Sequence, residues 1–189
     1  IAAVCEAKEG NYIVYFPSYE YMSGVVKAFR ELSPDTECAV QSRSMSYGER
    51  NAFLEKFSKR DGTLVGFCVL GGAFAEGVDL KGEKLIGTII VGTGLPKMCS
   101  ELNILSEYFE KTRENGRDYA YTYPAMIKVE QAAGRVIRSE TDRGVVVLVD
   151  DRYAEPATYR LFPKNWRHIK YTGDPYSLNT ALYRFWGEE

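Results

Sequence analysis

Residues Tyr123–Ser139, YPAMIKVEQAAGRVIRS, decide how the rest of this chain is read. Pro124 suits the first position of a helix, where its missing N–H costs nothing. Met126, Val129, Ala133, Val136 and Ile137 then recur at helical spacing, which predicts an apolar stripe packed on a core. Gln131, Arg135 and Arg138 fall at i, i+4 and i+7, roughly opposite that stripe, so the same spacing predicts a polar edge carrying two guanidiniums. A guanidinium keeps its charge and offers a planar fork of donors, which suits a phosphate better than an ammonium does. Spacing leaves two readings open: a solvated helix whose arginines pair with nearby acids, or an edge that recognises phosphate.

The totals bound what such a helix can belong to. A chain of 189 residues that is 45% apolar can fill the core of one domain. No apolar run approaches the ~18 residues a membrane span needs. A net charge of −2 and a pI near 5.7 disfavour a free-standing nucleic-acid binder, so any nucleic-acid contact must be local. Cys5, Cys38, Cys68 and Cys99 are widely spaced with no C-x-x-C pair, so no zinc or iron–sulfur signature exists. They read as reduced, mostly buried thiols, which suggests a cytoplasmic protein. The chain begins at Ile1 with no signal-peptide pattern, and is expected to be a piece of a longer protein.

Upstream, Tyr12–Phe16 (YIVYF) predicts a strand buried on both faces. Ser18 is the expected cap of a helix bearing Met22, Val25, Val26 and Phe29, ended by Ser33-Pro34. Ligands of such sheets bind at the carboxyl ends of strands, where Ser18 and Tyr19 lie; a cap and a core-edge ring explain them equally well. Glu37–Gln41 predicts a second strand. Ser46 and Glu49 then form a capping box for a helix running to about Lys59, with Phe53, Leu54 and Phe57 inward. Arg43, in the loop between, is a candidate phosphate contact or a plain surface charge.

Thr63–Leu70 predicts a third strand, leading into GGAFAEGVDLKGEKL, whose Gly71, Gly72, Gly77 and Gly82 allow a loop that brings backbone N–H groups to a ligand. Lys84–Val91 predicts a fourth strand. Ser100 is the expected cap of a helix with Leu102, Leu105 and Phe109 on one side, ending near Asn115-Gly116. The tyrosines between Arg117 and Tyr123 read as packing rather than as a base-stacking platform. Val145–Val149 predicts a fifth strand, closed by Asp150-Asp151-Arg152 as structural bracing. The tail predicts a linker, an edge strand and a terminal helix, and His168 has no recognisable catalytic partner. Five strands alternating with helices predict an α/β fold with a mainly parallel sheet.

Three of these segments carry a resemblance. QAAGRVIRSETDRGVVVLVDDRY resembles helicase motif VI and the strand after it, GGAFAEGVDL resembles motif V, and YFPSYEYM resembles motif IV, all in the form written by the XPD/DinG family of superfamily 2 DNA helicases. GTGLPK resembles the G-L-P turn of that family. The resemblance runs from about Tyr12 to Trp166 and implies a RecA-like three-layer domain of P-loop NTPase-like fold, although the Walker A pattern is absent from the chain. It implies the second motor domain of an ATP-dependent 5′→3′ DNA helicase: a core over about 12–166 and a C-terminal extension, 167–189, packed on it. In that reading Arg138 is the arginine finger with Arg135 beside it, while Gln131, Asp79, Glu76 and Gly77 serve the ATP site. Ser18, Tyr19, Arg43, Gly71 and Gly72 line a single-stranded DNA track. The first RecA-like domain of the same polypeptide would bind most of the ATP and its Mg²⁺, and could carry an iron–sulfur cluster; this chain would carry none. The domain alone is then expected to be inactive. Two other readings stay open, a catalytically silent RecA-like module that binds a partner protein and a domain of an RNA helicase. Against the silent module, Gln131, Arg135, Arg138 and Asp79 are all intact.

Overall fold

Six consecutive buried residues, Asn11–Phe16, form β1, the middle strand of the molecule. A strand with no exposed residue must be covered on both faces, and the computed structural model, which describes residues 1–58, 62–74, 80, 84–137, 141–166 and 168–187, covers it so. The other strands are β2 (Glu37–Val40), β3 (Leu64–Val69), β4 (Gly87–Val91) and β5 (Val145–Val149). They pair in the order β2-β3-β1-β4-β5, every pair parallel, with Tyr12 beside both Val65 and Gly87.

Alternation along β1 divides the core in two. Ile13 and Tyr15 face a cluster with Phe53 and Phe57 from the region of α3 (Tyr47–Lys56), and with Met126, Val129 and Ala133 from α5 (Tyr123–Ala133). Tyr12, Val14 and Phe16 face the opposite cluster, with Met22, Val26 and Phe29 of α2 (Tyr19–Leu32), Val4 of α1 (Ala2–Ala7) and Leu182 of α7 (Pro175–Gly187). Helices therefore cover both faces of a parallel sheet, the three-layer RecA-like arrangement. No helix among the described residues is long and apolar enough to cross a membrane.

Local chemistry sets several boundaries where the sequence predicts them. Ser18 caps α2, its Oγ accepting from Tyr21 N at 3.2 Å. Ser46 and Glu49 close the reciprocal capping box at the start of α3. Asp150 accepts from Arg152 N, Nε and Nη2, an internal fork that starts the short 3₁₀ turn Asp151–Ala154.

Other expectations are corrected. α5 ends at Ala133, because Gly134, the poorest helix former after proline, follows it. Arg135 N and Val136 N then bond to the carbonyls three residues back, so Arg135 sits on a tightened turn beyond the helix rather than on its polar edge. Val136 is buried as expected, but Ile137 is 46% exposed and leaves the stripe. In α4 (Ser100–Arg113) the capping position belongs to Cys99, with no side-chain bond, and Ser100 is the first helical residue. No α4 residue is buried; Leu105 is exposed, and Phe109 stacks on Tyr119 at 5.0 Å. The tyrosine segment forms a π-helical turn, Asp118–Thr122, that fixes α4 through a bond from the Tyr121 hydroxyl to Asn103 Oδ1 at 2.7 Å.

The helix α3 stops at Lys56, short of Lys59, which lies outside the described residues. Residues 168–174 form no edge strand; α6 (Pro156–Tyr159) and a 3₁₀ turn, Lys164–Trp166, precede α7 instead. Of the four free thiols only Cys68 is buried; Cys5 and Cys38 are half-buried and Cys99 is exposed at the end of the uncovered α4. α1 carries too short an apolar pattern to be read alone. It is held by α7, where Asn179 Nδ2 donates to Ala3 O and the Tyr183 hydroxyl to Glu6 O, each at 2.9 Å.

Candidate nucleic-acid interface and nucleotide edge

Because all five strands are parallel, their carboxyl ends share one edge of the sheet. Ser18 and Tyr19 follow β1, Gln41 and Arg43 follow β2, and Gly71 and Gly72 follow β3. The sheet order sets these three strand ends side by side. The five residues expected to form a DNA track thus come together although they are scattered over 55 positions, from 18 to 72.

A residue that sequence reasoning passed over binds them. Gln41 is only 4% exposed, and both ends of its amide are used. Its Oε1 accepts from Val69 N at 2.9 Å, and its Nε2 donates to the Tyr19 hydroxyl at 3.0 Å. The Tyr19 hydroxyl reaches Ser42 O at 3.4 Å, and the Arg43 guanidinium lies 5.3 Å from the Tyr19 ring centre, a cation–π contact at an exposed site. The signal was a polar residue closing an apolar strand, since a buried amide must find partners for both its donor and its acceptor.

The glycine turn fits against this amide. Gly71 has φ +74, a conformation most side chains avoid. Gly72 approaches Gln41 so closely that a β-carbon there would stand 2.9 Å from both Gln41 Nε2 and Val69 O. Gly72 N bonds back to Val69 O, and past the turn the Tyr15 hydroxyl holds Phe74 O at 2.9 Å while the Phe74 ring stacks on Phe53 at 4.2 Å. On the other side of Gly71 lies the side chain of Lys128, from α5. The strand-end edge therefore offers an aromatic ring, two cations, a hydroxyl and bare backbone, the means by which proteins hold a single strand without reading its sequence.

Of the residues expected at the nucleotide, the two that are described, Gln131 and Arg135, lie away from this turn. Gln131 is exposed on the last turn of α5. Arg135 is half-buried, one residue before Val136, which packs on Gly144 near the amino ends of β4 and β5. Helix α5 thus runs from the strand-carboxyl edge at Lys128 toward the opposite edge at Arg135. Arg138, Glu76, Gly77 and Asp79 lie outside the described residues. Among the described residues, no three metal-ligating side chains are grouped to hold an ion.

Comparison with known proteins defines the class. The sequence profile of the helicase C-terminal domain matches residues 1–169. The ATP-dependent DNA helicase YoaA of Haemophilus influenzae is 32% identical over 152 residues, covering 79% of this chain and 22% of that protein. The ATP-dependent DNA helicase chl-1 of Caenorhabditis elegans is 28% identical over 155 residues, covering 78% of this chain and 19% of that protein. A solved XPD helicase superposes with a TM-score of 0.67 at 26% identity, over 84% of this chain and 28% of that one. This chain belongs to the helicase C-terminal domain family, among relatives of the XPD and DinG type. It spans only about a fifth of the length of the two curated relatives named.

Proposed function

We propose that this chain is a single RecA-like domain, the second motor domain of an ATP-dependent 5′→3′ DNA helicase, with α7 as an appendage on its back. The observation that carries the reading is the cluster at the strand-carboxyl edge. A buried glutamine ties Tyr19 to the end of β3 beside the Gly71-Gly72 turn, with Arg43 over the Tyr19 ring, in a family whose members here are named DNA helicases. Arg43 and the backbone of the turn hold phosphates, and the Tyr19 ring supports a base. Ser18, whose Oγ already accepts from the helix, keeps its hydroxyl proton for a phosphate oxygen.

ATP sits between this domain and the first motor domain, which supplies most of its binding groups and those for Mg²⁺. Arg138 reaches across as the finger, with Arg135 beside it, and stabilises charge on the transferred phosphoryl group. Gln131, Glu76, Gly77 and Asp79 complete this side of the site, with Glu76 holding the arginines in place before nucleotide arrives and Asp79 contacting the nucleotide or its neighbouring motifs. Closing the cleft on ATP and opening it after hydrolysis shifts one DNA grip past the other. The polypeptide carrying both motor domains should hydrolyse ATP faster with single-stranded DNA present, and should unwind a duplex bearing a 5′ tail but not a 3′ tail. Unwinding from a 3′ tail but not a 5′ tail would reverse the polarity. Absence of any DNA stimulation would remove the motor reading.

A further inference from the structure

We infer that Lys128 is a backbone-phosphate contact of the single-stranded DNA track, on the opposite side of the Gly71-Gly72 turn from Arg43. The inference rests on the motor reading above and adds a residue to the track from an element, α5, otherwise assigned to the nucleotide.

The outer half of the Lys128 side chain lies along the turn. A β-carbon at Gly71 would meet its Cδ at 3.4 Å, its Cε at 3.5 Å and its Nζ at 3.7 Å. The lysine is half-buried, its helix neighbours Met126 and Val129 pack into the core, and its stem and ammonium lie beside the turn. Among the described residues no carboxylate pairs with it. Glu130, two positions on, points about 200° away around the helix. An ammonium placed beside bare backbone in this way is positioned to meet a phosphate oxygen.

The surroundings say which anion. Gly71 is exposed and bare, its positive φ disfavouring most side chains that would screen the lysine. Along the edge the groups run Arg43, Tyr19, Gln41, Gly72, Gly71, Lys128, each touching the next. A cation thus stands at each end of a short row of neutral polar and aromatic groups, which suits successive phosphates of a strand with bases between them. A nucleotide triphosphate would instead lie with Gln131 and Arg135, at and beyond the end of α5.

The test is equilibrium binding of oligo-dT, oligo-dC and a mixed sequence to the full polypeptide, across a salt series, for wild type, Lys128→Met and Lys128→Arg, with Arg43→Ala in parallel. Methionine keeps the packed stem and removes the charge. Expected for Lys128→Met is a loss of about three- to tenfold, equal for all three oligonucleotides, and a salt slope smaller by about 0.7, as for one lost phosphate contact on a single strand. Lys128→Arg should keep the slope, and both variants the thermal midpoint. An unchanged slope in Lys128→Met beside a reduced one in Arg43→Ala would overturn the inference and leave the track standing. A raised KM for ATP with an unchanged slope would overturn it by moving Lys128 to the nucleotide. A wild-type protein that binds no single strand would overturn the track and the inference together.

Discussion

The Gln41 side chain donates to the Tyr19 hydroxyl at 3.0 Å while accepting from Val69 N at 2.9 Å, so one buried amide ties the start of α2 to the end of β3. Replacing it with leucine leaves the Val69 N–H buried without an acceptor, a loss of about 1–3 kcal/mol in urea unfolding. Tyr19→Phe removes the hydroxyl that accepts from Gln41 and makes a long bond to Ser42 O, and should cost less, about 1 kcal/mol. If the amide orders the platform, both variants weaken single-strand binding, and the double variant weakens it by less than the sum. Additive binding losses would mean that Gln41 supports β3 alone.

Asp150 provides a pH-dependent contribution. Hydrogen bonds from the Arg152 side chain, and then from its backbone N–H, hold the Asp150 carboxyl below the ordinary value of 3.8. A carboxyl depressed on folding stabilises the native state above its unfolded pKa, and this is lost as pH falls through the lower folded value. The side-chain pair is partly exposed, so the effect is modest. Asp150→Asn keeps a capping oxygen and loses the charge, so it should cost under about 1 kcal/mol at pH 7, with the gap to wild type closing below pH ~3.8. A gap that persists unchanged at pH 3 would show that the charge is not the stabilising element.

Thiol reactivity reports on the layers directly. Cys99 is exposed, whereas burial pushes the Cys5 thiol up to about 12 and raises Cys68, in the middle of β3, further still. Only the thiolate reacts with iodoacetamide. At pH 8 Cys99 should be alkylated first and Cys68 only on unfolding. Mass spectrometry showing Cys68 modified alongside Cys99 would contradict an interior, covered β3.

Where the sequence carried a physical constraint strong enough to act locally, it was legible. The short apolar, β-rich runs within β1 and β3 read as strands buried on both faces, and the capping box at Ser46 read as the start of a helix. Gly134 also stood in plain view as a helix terminator, yet the apolar period running on through Val136 outweighed it. Tertiary partners decided what stayed hidden. The short helix α1 persists because α7 covers it, the residues expected as an edge strand lie as irregular chain, and α4 has no buried residue among the described elements. Gln41 was readable as a strand end but not as a junction, since both of its partners lie more than twenty residues away in sequence.

The central claim, that this domain completes an ATP site in another, is tested most directly through Arg138. Single-strand-stimulated ATP hydrolysis should be compared between the full wild-type polypeptide and Arg138→Ala, with DNA affinity measured on the same samples. Loss of about a thousandfold or more in rate at unchanged DNA affinity is the predicted result, the scale of a missing arginine finger. Hydrolysis at the wild-type rate would contradict the assignment and leave a nucleic-acid-binding domain without a part in the chemistry.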